Sequence, residues 1–169
     1  MRHLYLLRHA KSSWSDAAAS DAERPLAPRG RRAAERMAAH IHDADVRPSL
    51  VLCSSALRTR ETLAAILPAL GEAVVVVIDP SLYSASAAEI VDRVRAASDD
   101  VPSIMVIGHN PGMQELALSL ATSGPALSAV REGFVTGGLA TLEYSGEHWR
   151  MLAPGTAELV GFVAPRELV

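Results

Sequence analysis

Cysteine is almost missing from this chain. Cys53 is the only one in 169 residues, which excludes an internal disulfide and gives no sign of an oxidising compartment. Long apolar runs are missing too. The apolar stretch that begins at Leu4 ends at Arg8, too soon for a signal-peptide core or a membrane span, so the expected compartment is the cytoplasm. No charge sign dominates: the formal net charge is -3, which leaves no broad electrostatic case for nucleic acid or an anionic membrane as partner. Any anion site must therefore be local. There is no internal repeat, low-complexity linker or second domain, and the length suits one domain, residues 1–169, with a core of its own.

Short apolar runs alternate with segments of helical period. His3–Leu7, Leu50–Cys53, Val74–Ile78 and Ser103–Ile107 read as strands. Four of the five residues from 74 to 78 are valine, so that strand is expected to be buried on both faces. Ala33, Ala34, Met37, Ala38 and Ile41 recur at helical spacing, and further helices are expected over Ala56 to about Leu70 (stopped by Gly71), Ala87–Ala97 and Pro111–Leu120. In the tail, Gly138–Tyr144 and His148–Leu152 read as a hairpin turning at Ser145-Gly146. The β-α-β-α order implies a single three-layer α/β domain, with a mostly parallel central sheet and helices on both faces. Such sheets bind ligands at the carboxyl ends of their strands. The polar segment from Ala10 to Pro28 is long for a connection, and loops of that kind beside strand ends are usually functional.

Three of the expected strand ends carry related residues: Arg8-His9 after the first, Ser54-Ser55 with Arg58 after the second, and Gly108-His109-Asn110-Pro111 after the fourth. A parallel sheet brings these ends to one edge. Ser55 is a suitable N-cap, which puts Arg58 in the first turn of its helix, where a cation opposes the dipole unless an anion is bound. Asn110 before Pro111 reads as a second N-cap with proline at the first helical position, which places His109 at another positive helix end.

These residues resemble the histidine phosphatase superfamily. Arg8-His9 matches its Arg-His-Gly hallmark with Ala10 in place of glycine, and the wider set most resembles the small SixA-type phosphohistidine phosphatases. That set comprises Leu6–Trp14, Asp21-Ala22-Glu23-Arg24-Pro25-Leu26, Arg29-Gly30, Ser54–Thr59 with Thr62, Gly108–Pro111 and Thr136-Gly137-Gly138, in order along nearly the whole chain. The resemblance implies a phosphoglycerate mutase-like architecture. It also implies a mechanism without metal or other cofactor: His9 attacks phosphorus, Arg8, Arg58 and His109 hold the equatorial oxygens, and Arg24 lies near the pocket. Arginine forks suit phosphate, and phosphoryl transfer needs positioning and charge more than covalent help. Lys11 and Ser12 either line the substrate pocket or are simply solvated, and Trp14 either walls the pocket or anchors the loop. Arg24 could instead be a loop-packing residue.

One departure bears on substrate. Related enzymes place a proton-donating carboxylate either after the second histidine, where this chain has Asn110, or after the third strand. The corresponding stretch, Asp79–Ser86, has no glutamate, and Glu89 reads as a helix residue. An alkoxide leaving group needs such an acid, typically worth roughly 10²–10⁴-fold. Imidazole, with a conjugate-acid pKa near about 6.5, does not. The expected substrate is therefore phosphohistidine on a protein. Small phosphorylated metabolites (nucleotides, sugar phosphates, anhydrides) are the enzymatic alternative, and a phosphate-recognising binding module the non-enzymatic one. Among other candidates, Cys53 misses the spacing of cysteine phosphatases and reads as a buried thiol. Arg60 and the cluster Arg29, Arg31 and Arg32 read as solvated, with docking of an acidic partner as the alternative for the cluster. His42, Asp43 and Asp45 lack the spacing of a metal site.

Overall fold

A computed structural model describes residues 1–17 and 19–168; Ala18, within the long loop, and Val169 lie outside the described residues. The strands are β1 (Arg2–Arg8), β2 (Leu50–Ser54), β3 (Val75–Asp79), β4 (Ser103–Gly108), β5 (Leu139–Tyr144) and β6 (Ala157–Val163). The helices are α1 (Pro28–Asp43), α2 (Leu57–Ile66), α3 (Ala87–Arg95), α4 (Gly112–Leu120) and α5 (Leu127–Glu132). The sheet order is β3-β2-β4-β1-β5-β6. β1 to β4 pair in parallel, β5 runs against β1, and β6 runs against β5.

Alternation along the strands sorts side chains into two layers. Leu4, Leu6, Ile104 and Val106 pack with Ile90, Val94, Met113, Leu116 and Val130 of α3, α4 and α5. Tyr5, Leu7, Met105 and Ile107 pack with Met37, Ile41, Leu63 and Ile66 of α1 and α2. The three layers foreseen from the element order are thus present. Among the described residues no helix is long and apolar enough to cross a membrane.

Three local expectations are corrected. The valine run does form β3, but at the sheet edge, where Val75, Val76, Val77 and Ile78 are all exposed. β-branched composition specified a strand, while sheet order decided what covers it. The segment 148–152 is no strand. Trp149–Met151 forms a 3-10 turn, because Trp149 is fully buried and its indole N–H donates to the Val101 carbonyl at 2.7 Å. The last strand is instead β6, so no tight hairpin turns at Ser145-Gly146. Finally, α2 tightens to a 3-10 turn over Leu67–Ala69, where Pro68 supplies no N–H, before Gly71 ends it at φ 87°. α5 lies in a stretch that carried no helical expectation.

The long loop is tied down. Ser12 bridges to Leu26, the Ser13 N–H donates to the Pro25 carbonyl at 2.8 Å, and the Ala27 N–H donates to the Lys11 carbonyl at 2.9 Å. Gly30 makes this possible, since a Cβ there would lie 2.0 Å from the Lys11 carbonyl oxygen.

Candidate active site

Arg8 ends β1, and in the register of the parallel pair it stands opposite Gly108, which ends β4. His9 and His109 therefore leave neighbouring strands at the same level. Their ring centroids are 5.4 Å apart. β2 flanks β4 on its other side, so Ser54 and the start of α2 face the same crevice. His9, Arg24, Arg58 and His109 are all buried.

The His9 tautomer follows from one contact. Its Nδ1 lies 2.7 Å from the Ala10 carbonyl oxygen, which can only accept. Nδ1 therefore carries the proton, and Nε2 keeps its lone pair. Burial, with His109, Arg58 and Arg8 nearby, pushes the His9 pKa down to about 3 against the smaller opposing effect of the Ala10 carbonyl. The ring is a free base at neutral pH. The backbone behind it is held twice. The Ala10 N–H donates to Thr62 Oγ1 at 3.0 Å, and Thr62 Oγ1 donates to the Arg58 carbonyl at 2.7 Å. On the other side the Gly137 N–H lies 2.9 Å from the His9 carbonyl oxygen and 3.0 Å from that of Arg8.

His109 Nε2 is 2.8 Å from Ser54 Oγ. Ser54 Oγ also accepts from the Ala56 N–H at 3.3 Å, and its own hydrogen has no other acceptor among the described residues. Ser54 is thus the donor to Nε2, which leaves the proton of His109 on Nδ1. Burial and then Arg58 and Arg8 push the His109 pKa down to about 4, with Asp21 opposing. The cause is burial and the arginines more than the helix end.

The arginines are fixed by partners that leave specific N–H groups over. Arg8 donates from Nη1 to the Phe134 carbonyl at 2.8 Å. Arg58 donates from Nη1 to the Asp21 carbonyl at 2.7 Å and from Nη2 to Asp21 Oδ2 at 3.1 Å. Arg24 donates from Nε to Asp21 Oδ1 at 3.2 Å and stacks on Trp14, its guanidinium carbon 3.4 Å from the ring centroid. Four buried side-chain polar atoms have no partner among the described residues: Arg8 Nε, Arg24 Nη1, Arg58 Nε and His109 Nδ1. All four belong to residues singled out from the sequence. Buried donors without partners are costly, so a set of four on one constellation calls for an acceptor-rich ligand. A phosphoryl group, with its oxygens, is such a ligand.

A profile of the histidine phosphatase superfamily (branch 1) matches residues 4–84. An uncharacterised protein of Mycobacterium tuberculosis is 37% identical over 164 residues, which are 95% of this chain and 100% of that one. The structure of a Nakamurella multipartitia protein assigned as phosphohistidine phosphatase SixA is 32% identical, covers 97% of this chain and 96% of its own, and superposes with a TM-score of 0.85. The chain belongs to the histidine phosphatase superfamily. It is a phosphatase. This histidine phosphatase shares its fold, at 15% identity and a TM-score of 0.69 over 97% of its length, with all of the mycobacterial glucosyl-3-phosphoglycerate phosphatase.

Other sequence candidates fall elsewhere. Ser12 is buried at its bridge to Leu26. Lys11 is exposed and lines a neighbouring surface cavity with Arg29, Arg36 and Arg166. Arg60 is exposed, donating to the Ser55 carbonyl at 3.0 Å. Cys53 is fully buried, and burial pushes its thiol pKa up to about 12, so it is inert. Ser55 does not cap α2; Ala56 takes that position, and Thr59 Oγ1 donates to the Ser54 and Ala56 carbonyls, each at 2.8 Å. Pro111 takes the cap position of α4, yet Asn110 Oδ1 still accepts from the Gln114 N–H at 3.2 Å. His42 bonds Asp43 on the surface, and no group of three or more His, Cys, Asp or Glu side chains comes together among the described residues.

Two residues had been given no role. Asp21 binds Arg58, Arg24 and the Tyr83 hydroxyl, and those bonds, Tyr83 first, push its pKa down to about 2. Tyr83 sets its ring edge-on to His109, centroids 5.6 Å apart. Asp21 and its partner Arg24 stand together in the Asp21–Leu26 motif, but the other two partners lie 37 and 62 residues away, beyond the reach of local pattern.

Proposed function

We propose that this phosphatase works through a covalent phosphohistidine on His9 and that its substrate is phosphohistidine on a protein. The observation that carries the mechanism is the tautomer of His9 beside four unpartnered donor atoms. His9 Nε2 attacks phosphorus in line with the leaving group. Arg8 Nε, Arg58 Nε and His109 Nδ1 donate to the equatorial oxygens, with Arg24 Nη1 at the rim. The substrate ring enters protonated from solvent on the nitrogen that does not carry phosphorus; the bond from phosphorus to the substrate nitrogen then breaks as the bond to Nε2 forms, and the ring leaves as neutral imidazole. Nδ1–H of phosphorylated His9 still donates to the Ala10 carbonyl, which spreads the positive charge. Water then attacks the same phosphorus, its proton goes to the departing phosphate, and His9 returns as the free base. The charge needed in the transition state comes from the arginines, and no metal takes part in this scheme.

The substrate assignment is supported by the state of the rim carboxylates. Asp21 is ionised and committed to three partners. Asp79 is paired with Arg93 and Ser81, and these partners hold its carboxyl below the usual range. Glu89 is taken up in a capping box with Ser86. Asn110 donates from Nδ2 to the Phe134 carbonyl at 3.1 Å, a bond that an aspartate could not make. None of these groups offers a proton to an alkoxide. A P–N bond to imidazole needs none from the enzyme, because the ring nitrogen away from phosphorus, with an ordinary pKa near about 6.5, takes its proton from solvent.

The test is turnover, with chelator present, of a phosphohistidine protein and of an unactivated phosphoserine peptide by wild type and by His9→Ala. Release from phosphohistidine alone, lost in His9→Ala, is the expected result. Equal turnover of both would leave the nucleophile standing and move the substrate to small phosphate esters. Tight phosphate binding without turnover of either would make the domain a recognition module.

A further inference from the structure

The carboxyl edge of the sheet holds a second cationic feature that this chemistry does not use. Leu7 pairs with Leu139, and Leu139 pairs with Val163. The segments just before β5 and just after β6 therefore stand at the same edge as His9. Together with Lys11 and one face of α1 they enclose a cavity of about 230 Å³. Arg29, Ala33 and Arg36 of α1 recur at helical spacing along one wall, and Arg166, from the 3-10 turn after β6, also lines the cavity. The floor is apolar, made by Val135, Ala164 and Pro165.

Every charged residue lining this cavity is positive, in a chain whose net charge is -3. Lys11, Arg29, Arg36 and Arg166 make no side-chain hydrogen bond or ion pair among the described residues. Neither nearby carboxylate lines this cavity. Glu167 Oε2 accepts from the Ala164 N–H at 2.7 Å, and Glu35 lines a different cavity with Arg31 and Glu61. Four like charges around one cavity repel each other, and an anionic occupant removes that cost. Lys11 follows His9 by two residues, so its Cα is at most about 7 Å from that of His9. A polypeptide whose phosphorylated side chain is in the active site thus reaches the cavity within a few residues.

We propose that this cavity docks an acidic segment of the protein substrate, next to the phosphorylated residue. The proposal rests on the reading that the substrate is a protein. The apolar floor receives the methylenes of a Glu or Asp side chain while the four cations meet its carboxylate. This arrangement selects phosphoproteins with acidic surroundings, and the selection weakens with salt.

Direct binding separates this proposal from the catalytic one. An unphosphorylated, fluorescently labelled peptide rich in Glu and Asp is titrated by anisotropy at low salt, against a neutral peptide of equal length. The proteins are wild type, Arg29→Glu/Arg36→Glu/Arg166→Glu, and the milder Arg36→Gln/Arg166→Gln. Glu at position 29 suits the first turn of α1, so the first variant is expected to fold. The expected result is binding of the acidic peptide only, weakened at least tenfold in the triple variant. kcat/KM should fall to the same degree, through KM, on a phosphohistidine peptide with acidic flanks, while free phosphohistidine is hydrolysed at the wild-type rate. Unchanged peptide binding in both variants overturns the proposal, as does equal loss on both substrates. Displacement of the peptide by tripolyphosphate at lower concentration than by unlabelled peptide would also overturn it, in favour of a small polyanion. Absence of phosphohistidine turnover in wild type would refute the catalytic reading alone, since the binding comparison still decides the docking one.

Discussion

The two buried imidazoles should make the fold itself sensitive to mild acid. The pKa values of His9 and His109 are pushed down to about 3 and about 4. In the unfolded chain each returns to about 6.5. Between these limits the unfolded chain binds protons that the folded one refuses, so stability falls as pH drops. The contribution is complete above about pH 7, declines below about 6.5, and levels off near the folded values. At pH 5 each histidine costs about 2 kcal/mol relative to pH 8, or about 4 kcal/mol for the pair. That is a large share of the roughly 5–15 kcal/mol that holds an ordinary domain together. Asp21, at about 2, acts in a separate window: its contribution is present above the usual carboxylate range and is lost only as pH falls towards 2. Urea unfolding at pH 8 and pH 5 measures the loss, and His9→Gln and His109→Gln should each remove about half of it. Imidazole proton shifts followed by NMR give the midpoints directly. Saturating inorganic phosphate should raise both midpoints, because a bound anion favours the imidazolium. Midpoints near the ordinary histidine value, or a wild-type pH dependence that survives both substitutions, would refute the reasoning.

Two substitutions probe the supports of the site. Thr62→Val keeps the shape of a fully buried side chain but strands the Ala10 N–H and removes the hydroxyl that donates to the Arg58 carbonyl, which keeps its helical bond. It should cost about 1–3 kcal/mol in urea unfolding and lower kcat as His9 loses its backing, whereas unchanged stability would mean that another group takes up these bonds. Asp21→Ala releases Arg24 and the Arg58 Nη2 group, with only the Asp21 carbonyl still holding Arg58. Misplaced arginines should raise KM about tenfold with a smaller change in kcat. A fall in KM would instead mean that Asp21 chiefly repels the phosphoryl group.

Much of the candidate site lies open in the linear order because its key residues follow strand ends. A buried parallel strand is recognisable from a short apolar run, and the residues after it necessarily reach the carboxyl edge of the sheet. Arg8 with His9, Ser54 with Arg58, and His109 could therefore be brought together before any side chain was placed. Asp21 and Tyr83 could not, since their contacts cross 37 and 62 residues and depend on how the long loop folds back. Trp14 is a similar case: only the folded loop shows it stacked on Arg24.

Local composition by itself determined the first five strands, the first four helices and the layered α/β class, and it set two histidines and their arginines at strand ends, because hydrophobic period and strand-end chemistry are properties of neighbouring residues. The tertiary structure alone decided burial and protonation. It put the valine run of β3 at an exposed edge and turned 148–152 into a 3-10 segment around buried Trp149. It also placed the His9 proton on Nδ1 through a carbonyl whose direction no pattern encodes. Burial and hydrogen-bond direction depend on what lies across the fold, and a linear sequence carries that information only through the packing of distant segments.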